Sequence, residues 1–388
     1  MSVRPLAIPQ PSSPPHDRPS ARRLLDLDWI LLLATLMLMG YGLAMGYSIT
    51  VEDRNFTGDV GQQMLRALLY GVVGASAMAV VALVDYAWLG TLAPVIFIGT
   101  LVLLAIVLVV GSSTLGATRW VTIAGFNFQP SEFAKVFMII VLAKWFADRD
   151  VRSPFTLLGG LAILAVPVAL VFRQPDLGTS LVFFGMFFGM AFVAGARLWQ
   201  LTALLAAGAA ALPLVWGFLK EYQKARLTAF TDPYSDPQGA GWNIIQSLIA
   251  VGSGSLTGKG LTHGTQSPLG YLPIAESDFV FSGLAEDLGF VGAVILFALY
   301  IVLLFAALSI ARRSRDAFGT YIAGGVAAVF TFQIMVNVGM AVSLMPVTGI
   351  PLPFISQGGS SLISICFALG VLQAISMRAS AGGQRSAG

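Results

Sequence analysis

Again and again the chain runs apolar for long enough to cross about 30 Å of hydrocarbon, which takes about 20 helical residues. Such stretches fall near 29–47, 68–84, 89–110, 131–146, 155–172, 179–196, 198–219, 279–311, 319–344 and 360–377, ten in all. Lipid offers no partner for backbone N–H and C=O groups, so each crossing must close its own hydrogen bonds; the alternation of a transmembrane barrel is absent, which leaves helices. The predicted class is an all-α polytopic membrane protein of about ten transmembrane helices. Residues are 56% hydrophobic and only 11% charged, against about 25% charged in a soluble domain, so a soluble globular fold is excluded.

The one long polar segment, 219–278, separates the seventh and eighth stretches and reads as a large extracytoplasmic loop. Its side follows from Lys and Arg at alternate ends of the spans: Arg18, Arg22 and Arg23; Lys144, Arg149 and Arg152; Arg197; Arg312, Arg313 and Arg315; and Arg378. Both termini are then cytoplasmic. Residues 1–25, rich in Pro, Ser and Arg, read as a disordered cytoplasmic tail rather than a signal peptide; 26–378 form the transmembrane domain and 379–388 a second cytoplasmic tail. Asp85 alone marks one short inner turn. Arg54 and Arg66 read as loop charges, whereas Arg119, Lys135, Arg173 and the cations of the long loop sit outside, against the bias, and point to function. No internal repeat favours an inverted-repeat transporter.

Several short motifs carry candidate chemistry. In QPSEFAK, Pro130 ends the loop, Ser131 is a predicted N-cap, and Glu132 lies in the first turn with Lys135 at i+3 on the same face. An ammonium there is expensive in lipid, so the pair implies a polar cavity; an interfacial capping pair is the plainer reading. In RQPDLGTS, Asp176 can cap the sixth helix while Arg173 faces outer water toward an anionic ligand such as a diphosphate; a structural turn is the alternative. GSGSLTGKG lacks the spacing of a phosphate-binding loop of the Walker type, leaving flexible glycines beside Lys259 and a weaker anion-binding reading. His263 stands alone without ligands at metal spacing. Asp278 precedes a long helix at the outer boundary, where a partly desolvated carboxylate can serve as general base; an ordinary N-cap competes. Of Glu286 and Asp287, one is expected to brace the loop. Gln333 and Asn337 share a helical face. MPVTGIPLPFISQGGSS is apolar yet proline-broken, a candidate wall for a hydrophobic ligand tail. Cys366, the single cysteine, reads as packing.

The segments ATRWVTIAGFNFQPSEFAK, FRQPDLGTS, YQKARLTAFTDPYSDPQGAGWNIIQSLIAVGSGSLTGKG, GTQSPLGYLPIAESDFVF, AEDLGFVG and VNVGMAVSLMPVTGIPLPFISQGGSS resemble, in order, the shape, elongation, division and sporulation (SEDS) glycosyltransferases, the RodA and FtsW group. The resemblance covers nearly the whole chain. It implies a ten-span protein of the bacterial cytoplasmic membrane that polymerises lipid II into glycan strands on the outer face, working with undecaprenyl-diphosphate-linked glycan, membrane lipid and a class B penicillin-binding protein, and with no nucleic acid. It puts the family's essential aspartate on Asp278 and its polar cavity residues on Arg119, Glu132, Lys135, Arg173, Asp176 and Lys259. Two positions depart from many members: Glu276-Ser277 stand where His-Thr is common, and Gln357 where Tyr is common. The short tail and overall length lean toward RodA.

On this reading Asp278 takes a proton from the acceptor hydroxyl while the cations steady the departing diphosphate. A divalent cation, Mg or Mn, is a candidate helper with no ligand set identified. A lipid II flippase is the rival, since intramembrane charges also mark translocation paths; a noncatalytic scaffold is the third reading.

Overall fold

The computed structural model describes residues 26–52, 59–114, 117–123, 126–239, 241–266, 271 and 277–383. The tail 1–25, the end of the second tail, Arg54 and Glu276 lie outside the described residues. In chain order the helices are α1 (Trp29–Glu52), α2 (Val60–Leu83), α3 (Ala87–Val110), α4 (Pro130–Ala147), α5 (Pro154–Arg173), α6 (Leu177–Val193), α7 (Leu198–Trp216), α8 (Glu221–Thr231), α9 (Trp242–Ser253), α10 (Val280–Arg313), α11 (Ala317–Ala341) and α12 (Gly359–Gly383). Each predicted stretch becomes helical, the eighth of them broken within α10. Seven of them, α1 to α3, α5 and α10 to α12, are long and apolar enough to cross a membrane, and α6 and α7 are apolar but shorter. The seventh-to-eighth loop is not featureless, because it folds into α8, a 3-10 turn (Pro233–Ser235) and α9. α12 runs on to Gly383, into the predicted tail.

Where the sequence suggested only a loop, β1 (Ser112–Thr114), β2 (Ala117–Ile123) and β3 (Phe126–Phe128) form an antiparallel sheet in the order 1-2-3. β-Branched and aromatic residues in ATRWVTI suit a strand, and the sheet returns the chain to α4 above the bundle.

α11 and α12 are the most enclosed of the candidate spans. α11 packs on α4, α6 and α10, while α12 packs on α2 and α4. α7 is the reverse, almost wholly exposed along its length. Arg313 pairs with Asp28 at 2.8 Å, and Gln373 brackets Asp28 with two main-chain hydrogen bonds of 2.9 Å. Arg378 pairs with Asp85, while the Tyr86 hydroxyl donates to Asp316 at 2.8 Å. The start of α1 and the end of α12 therefore share one end of the bundle with Asp85, and the polar loops gather at the other.

The proline-broken segment 346–358 is a correction. Ile350, Leu352 and Ile355 are 1% exposed and Phe354 7%; Phe354 stacks edge-on with Phe330, and Tyr300 donates to the Pro353 carbonyl at 2.6 Å. These apolar groups are occupied as protein core, since their own fold supplies the apolar partners they need, and they do not form a lipid-tail wall.

A second difference lies in α10, expected as one continuous helix. It breaks at Gly289, whose φ of 63° and ψ of −159° belong to a region essentially reserved for glycine. A Cβ there would strike the Gly258 nitrogen and the Leu256 main chain. Gly289→Ala is expected to cost about 1–3 kcal/mol, the strain of forcing a side chain into that region, and to lower the thermal unfolding midpoint of purified protein. A midpoint equal to the wild type's refutes the strain argument.

Candidate active site

The polar end of the bundle converges on Asp278, in the turn just before α10. The N-cap of that helix is Phe279, without a side-chain capping bond, so Asp278 is not spent as a cap. Its turn is held from outside. The Asn337 amide donates to the Asp278 carbonyl at 3.1 Å and to the Ile350 carbonyl at 2.8 Å, while the Ser356 hydroxyl donates to the Ser277 carbonyl at 2.5 Å. Asn337, from the predicted Gln333–Asn337 face, thus ties α11 to both outer segments. The Asp278 carboxylate accepts from the Ser277 hydroxyl at 3.0 Å. It is half-buried, keeping some solvent contact while enclosed by protein on most sides. Burial raises its pKa above the usual carboxylate range and Asp176 adds to this; the Ser277 hydrogen bond and the charges of Arg226 and Arg119 pull the other way, and burial prevails.

Arg119, Asp176 and Arg226 are therefore the ionic neighbours of Asp278. Asp176 caps α6 as predicted, accepting from the Thr179 N–H at 3.1 Å and its hydroxyl at 2.9 Å. Arg119 on β2 donates to the Pro175 carbonyl at 2.6 Å and lies 3.8 Å from the Asp176 carboxylate. That is too long for a hydrogen bond, and the Arg119 Nε is buried without one. Tyr222 also donates to the Pro175 carbonyl, at 3.0 Å. One turn along α8 stands Arg226, its guanidinium 5.9 Å from the Tyr222 ring centre. Asp278 and Arg226 both face Gly349, where a Cβ would come within 3.3 Å of one and 4.0 Å of the other. Sequence reasoning held Arg226 among the long-loop cations that point to function without naming it as a site residue. The available signal was the i, i+4 spacing of Tyr222 and Arg226, which puts both on one face once α8 is helical.

Glu132 and Lys135 form the predicted ion pair, at 2.8 Å and with both side chains under 5% exposed. The predicted cap is displaced: Gln129 holds the N-cap position of α4, with Pro130 starting the helix and Ser131 following inside it. The pair lines a cavity of about 20 Å³ with Gln333 and Ser364, room for about one water molecule. Glu132 Oε2 and the Gln333 amide nitrogen are buried there without hydrogen bonds. Among the described residues no hydrogen bond or ion pair joins this cavity to Asp278. The link is α11, on which Gln333 at the cavity and Asn337 at the Asp278 turn are one helical turn apart.

Two predicted residues remain. Arg173 is exposed at the end of α5 and makes no ion pair among the described residues. Lys259 was expected to face an anion, but its ammonium is 2.6 Å from Glu286 and 2.8 Å from the Thr265 hydroxyl. Glu286 is thus the expected brace, and Asp287 is a second one, accepting from Ser48 at 2.5 Å.

Comparison with known proteins gives a consistent result. Residues 29–381 match the family described as FtsW, RodA and SpoVE, cell cycle protein. The chain is 39% identical over 368 residues to the peptidoglycan glycosyltransferase MrdB of Escherichia coli K12, covering 92% of this chain and 96% of that one. It superposes on a chain of a solved peptidoglycan synthase complex, described as coordinating polymerization and crosslinking, with a TM-score of 0.77 and 30% identity over 91% of this chain and 98% of that one. The rod shape determining protein RodA of Thermus thermophilus gives a TM-score of 0.68 and 28% identity, over 90% of this chain and 96% of that one. With the match running from α1 to α12 and the likeness spanning nearly all of each relative, this chain belongs to the FtsW, RodA and SpoVE family.

Proposed function

We propose that this protein is a peptidoglycan glycosyltransferase of the RodA type, polymerising lipid II on the outer face of the bacterial cytoplasmic membrane during cell elongation, with both termini inside. The observation that carries the reading is Asp278, a half-buried carboxylate not used as a helix cap and flanked by Arg226 and Arg119. With a raised pKa, Asp278 is a better proton acceptor than a free carboxylate. It takes the proton of the acceptor sugar's 4-hydroxyl as that oxygen bonds to the anomeric carbon of the growing strand. The bond to the undecaprenyl diphosphate oxygen breaks, and single displacement at an α-linked donor leaves a β linkage. Charge grows on the departing diphosphate, and guanidinium groups fixed by the fold offset it without having to reorganise. The guanidinium groups of Arg119 and Arg226, both acting on Asp278, suit that role.

A divalent cation fits the protein side of this site poorly. Among the described residues no three His, Cys, Asp or Glu gather to hold one, and the two carboxylates Asp278 and Asp176 are offset by two arginines. Such an ion would draw most of its oxygen ligands from the diphosphate, and no step here depends on it. The partner reading, a class B penicillin-binding protein, is supported by the likeness to a synthase complex.

A flippase would need polar groups through both leaflets. Here the ionic candidates crowd one end, while Met138, Phe183, Met186, Phe187 and Leu104 leave the interior apolar. The test supplies fluorescent lipid II to purified protein, alone and with its penicillin-binding partner. Glycan ladders support the enzyme; lipid flipping without ladders under every condition supports the rival.

A further inference from the structure

The first part of α10 is a separate piece. At Gly289 the helix breaks, and the hydrogen bonds lost there are supplied by the glycine-rich loop rather than by α10 itself. The Glu286 and Asp287 carbonyls accept from the Lys259 and Gly260 N–H groups at 3.0 and 2.9 Å; the Phe290 and Val291 N–H groups donate to the Ser255 and Leu256 carbonyls, each at 3.0 Å. Gly258, at φ +76°, lies so close to the Asp287 carbonyl that no side chain would fit. The loop thus fills the break as a plug. Residues 277–288, which carry Asp278, are oriented by this plug at one end and by Asn337 and Ser356 at the other.

Within the plug a single cation makes the side-chain tie. The Lys259 ammonium meets Glu286, and the same carboxylate collects the Thr265 N–H and hydroxyl at 2.7 and 2.8 Å and the Gln266 N–H at 3.2 Å. Glu286 is 1% exposed, so its charge depends on these donors. Ser48 on α1 extends the tie, accepting from the Thr262 N–H at 2.8 Å and donating to Asp287 at 2.5 Å. Asp278 lies about two helical turns from Glu286, and a tilt of this short piece moves the carboxylate relative to Arg119 and Arg226.

We infer that Lys259 is a positioning residue, which holds Asp278 in register with the two guanidinium groups by pairing with Glu286, and does not touch the substrate. The inference rests on the glycosyltransferase reading above. Misplacement of about 1 Å can cost about 100-fold in rate, so Lys259→Met and Glu286→Gln are each expected to lower kcat about 10- to 100-fold per folded molecule, with KM for fluorescent lipid II changed by less than about twofold. Because both act through one pair, the double variant should be no slower than the slower single variant. Lys259→Arg, which keeps the pairing, should retain most of the rate. If Glu286→Gln does not fold, the Met and Arg variants carry the test: a loss with Met and recovery with Arg, both at unchanged KM, supports positioning. A marked rise in KM for Lys259→Met, or a wild-type kcat in that variant, overturns it. Absence of strand formation by the wild type instead fails the glycosyltransferase reading and takes the positioning role with it.

Discussion

Asp278→Asn is expected to abolish glycan-strand formation, a loss of about 10²–10⁴-fold in rate, while leaving the protein folded. The amide keeps the shape and can still accept from Ser277, but it cannot take the acceptor's proton. The pH dependence follows from the raised pKa of Asp278. The base works only when ionised, so the rate of the wild type should fall with acidification through that raised pKa, above the range of an ordinary carboxylate at about 3.9. Stability runs the opposite way. Between the unfolded and the raised folded pKa the native state binds more protons than the unfolded one, so this group's contribution to stability declines as pH rises through that window. At neutral pH Asp278→Asn should therefore unfold no earlier than the wild type. A folded variant that keeps making ladders removes Asp278 from the chemistry.

Arg226→Ala is the second large effect. Removing one preorganised donor from a site of developing charge typically costs about 10²–10³-fold in kcat. Arg226 is the cleaner probe of the guanidinium pair, because Arg119 also anchors the Pro175 carbonyl and its loss would loosen the loop before α6. Arg226→Lys should recover little, since a compact ammonium lacks the planar fork that spans a diphosphate. Single-turnover rates with saturating fluorescent lipid II decide the matter. Unchanged rates for Arg226→Ala would leave Asp278 with Arg119 alone and require a different account of how the leaving group is held.

Much of the site was legible in the sequence where chemistry is local. Glu132 with Lys135, and Asp176 with the start of α6, involve neighbours three residues apart, a spacing that helix geometry alone brings together. Asp278 stood out because it directly precedes a long apolar helix at the outer boundary and because the family resemblance puts the essential aspartate there. Lys259 and Arg226 were not legible in the same way. Both are cations in one polar loop, similar in composition and side, and only the folded loop sends one to Glu286 and the other toward Asp278. The apolar residues of 346–358 were read as waiting for a lipid tail because sequence shows that they need an apolar partner but not which one.

By itself the sequence determined the membrane class and the order of the helices, since lipid permits few backbone solutions and each apolar stretch must satisfy its own hydrogen bonds. It also determined which side chains are out of place in lipid, since the cost of a charge there depends on the residue and its depth. Only the tertiary structure decided which of those charges meet. Arg119, Asp176, Arg226 and Asp278 come from four separate segments, and their convergence depends on a short sheet, a loop helix and a break at Gly289. The energies that fix those features lie in contacts between residues far apart in the chain, such as Asn337 with Asp278, and helical or strand periodicity carries no record of them.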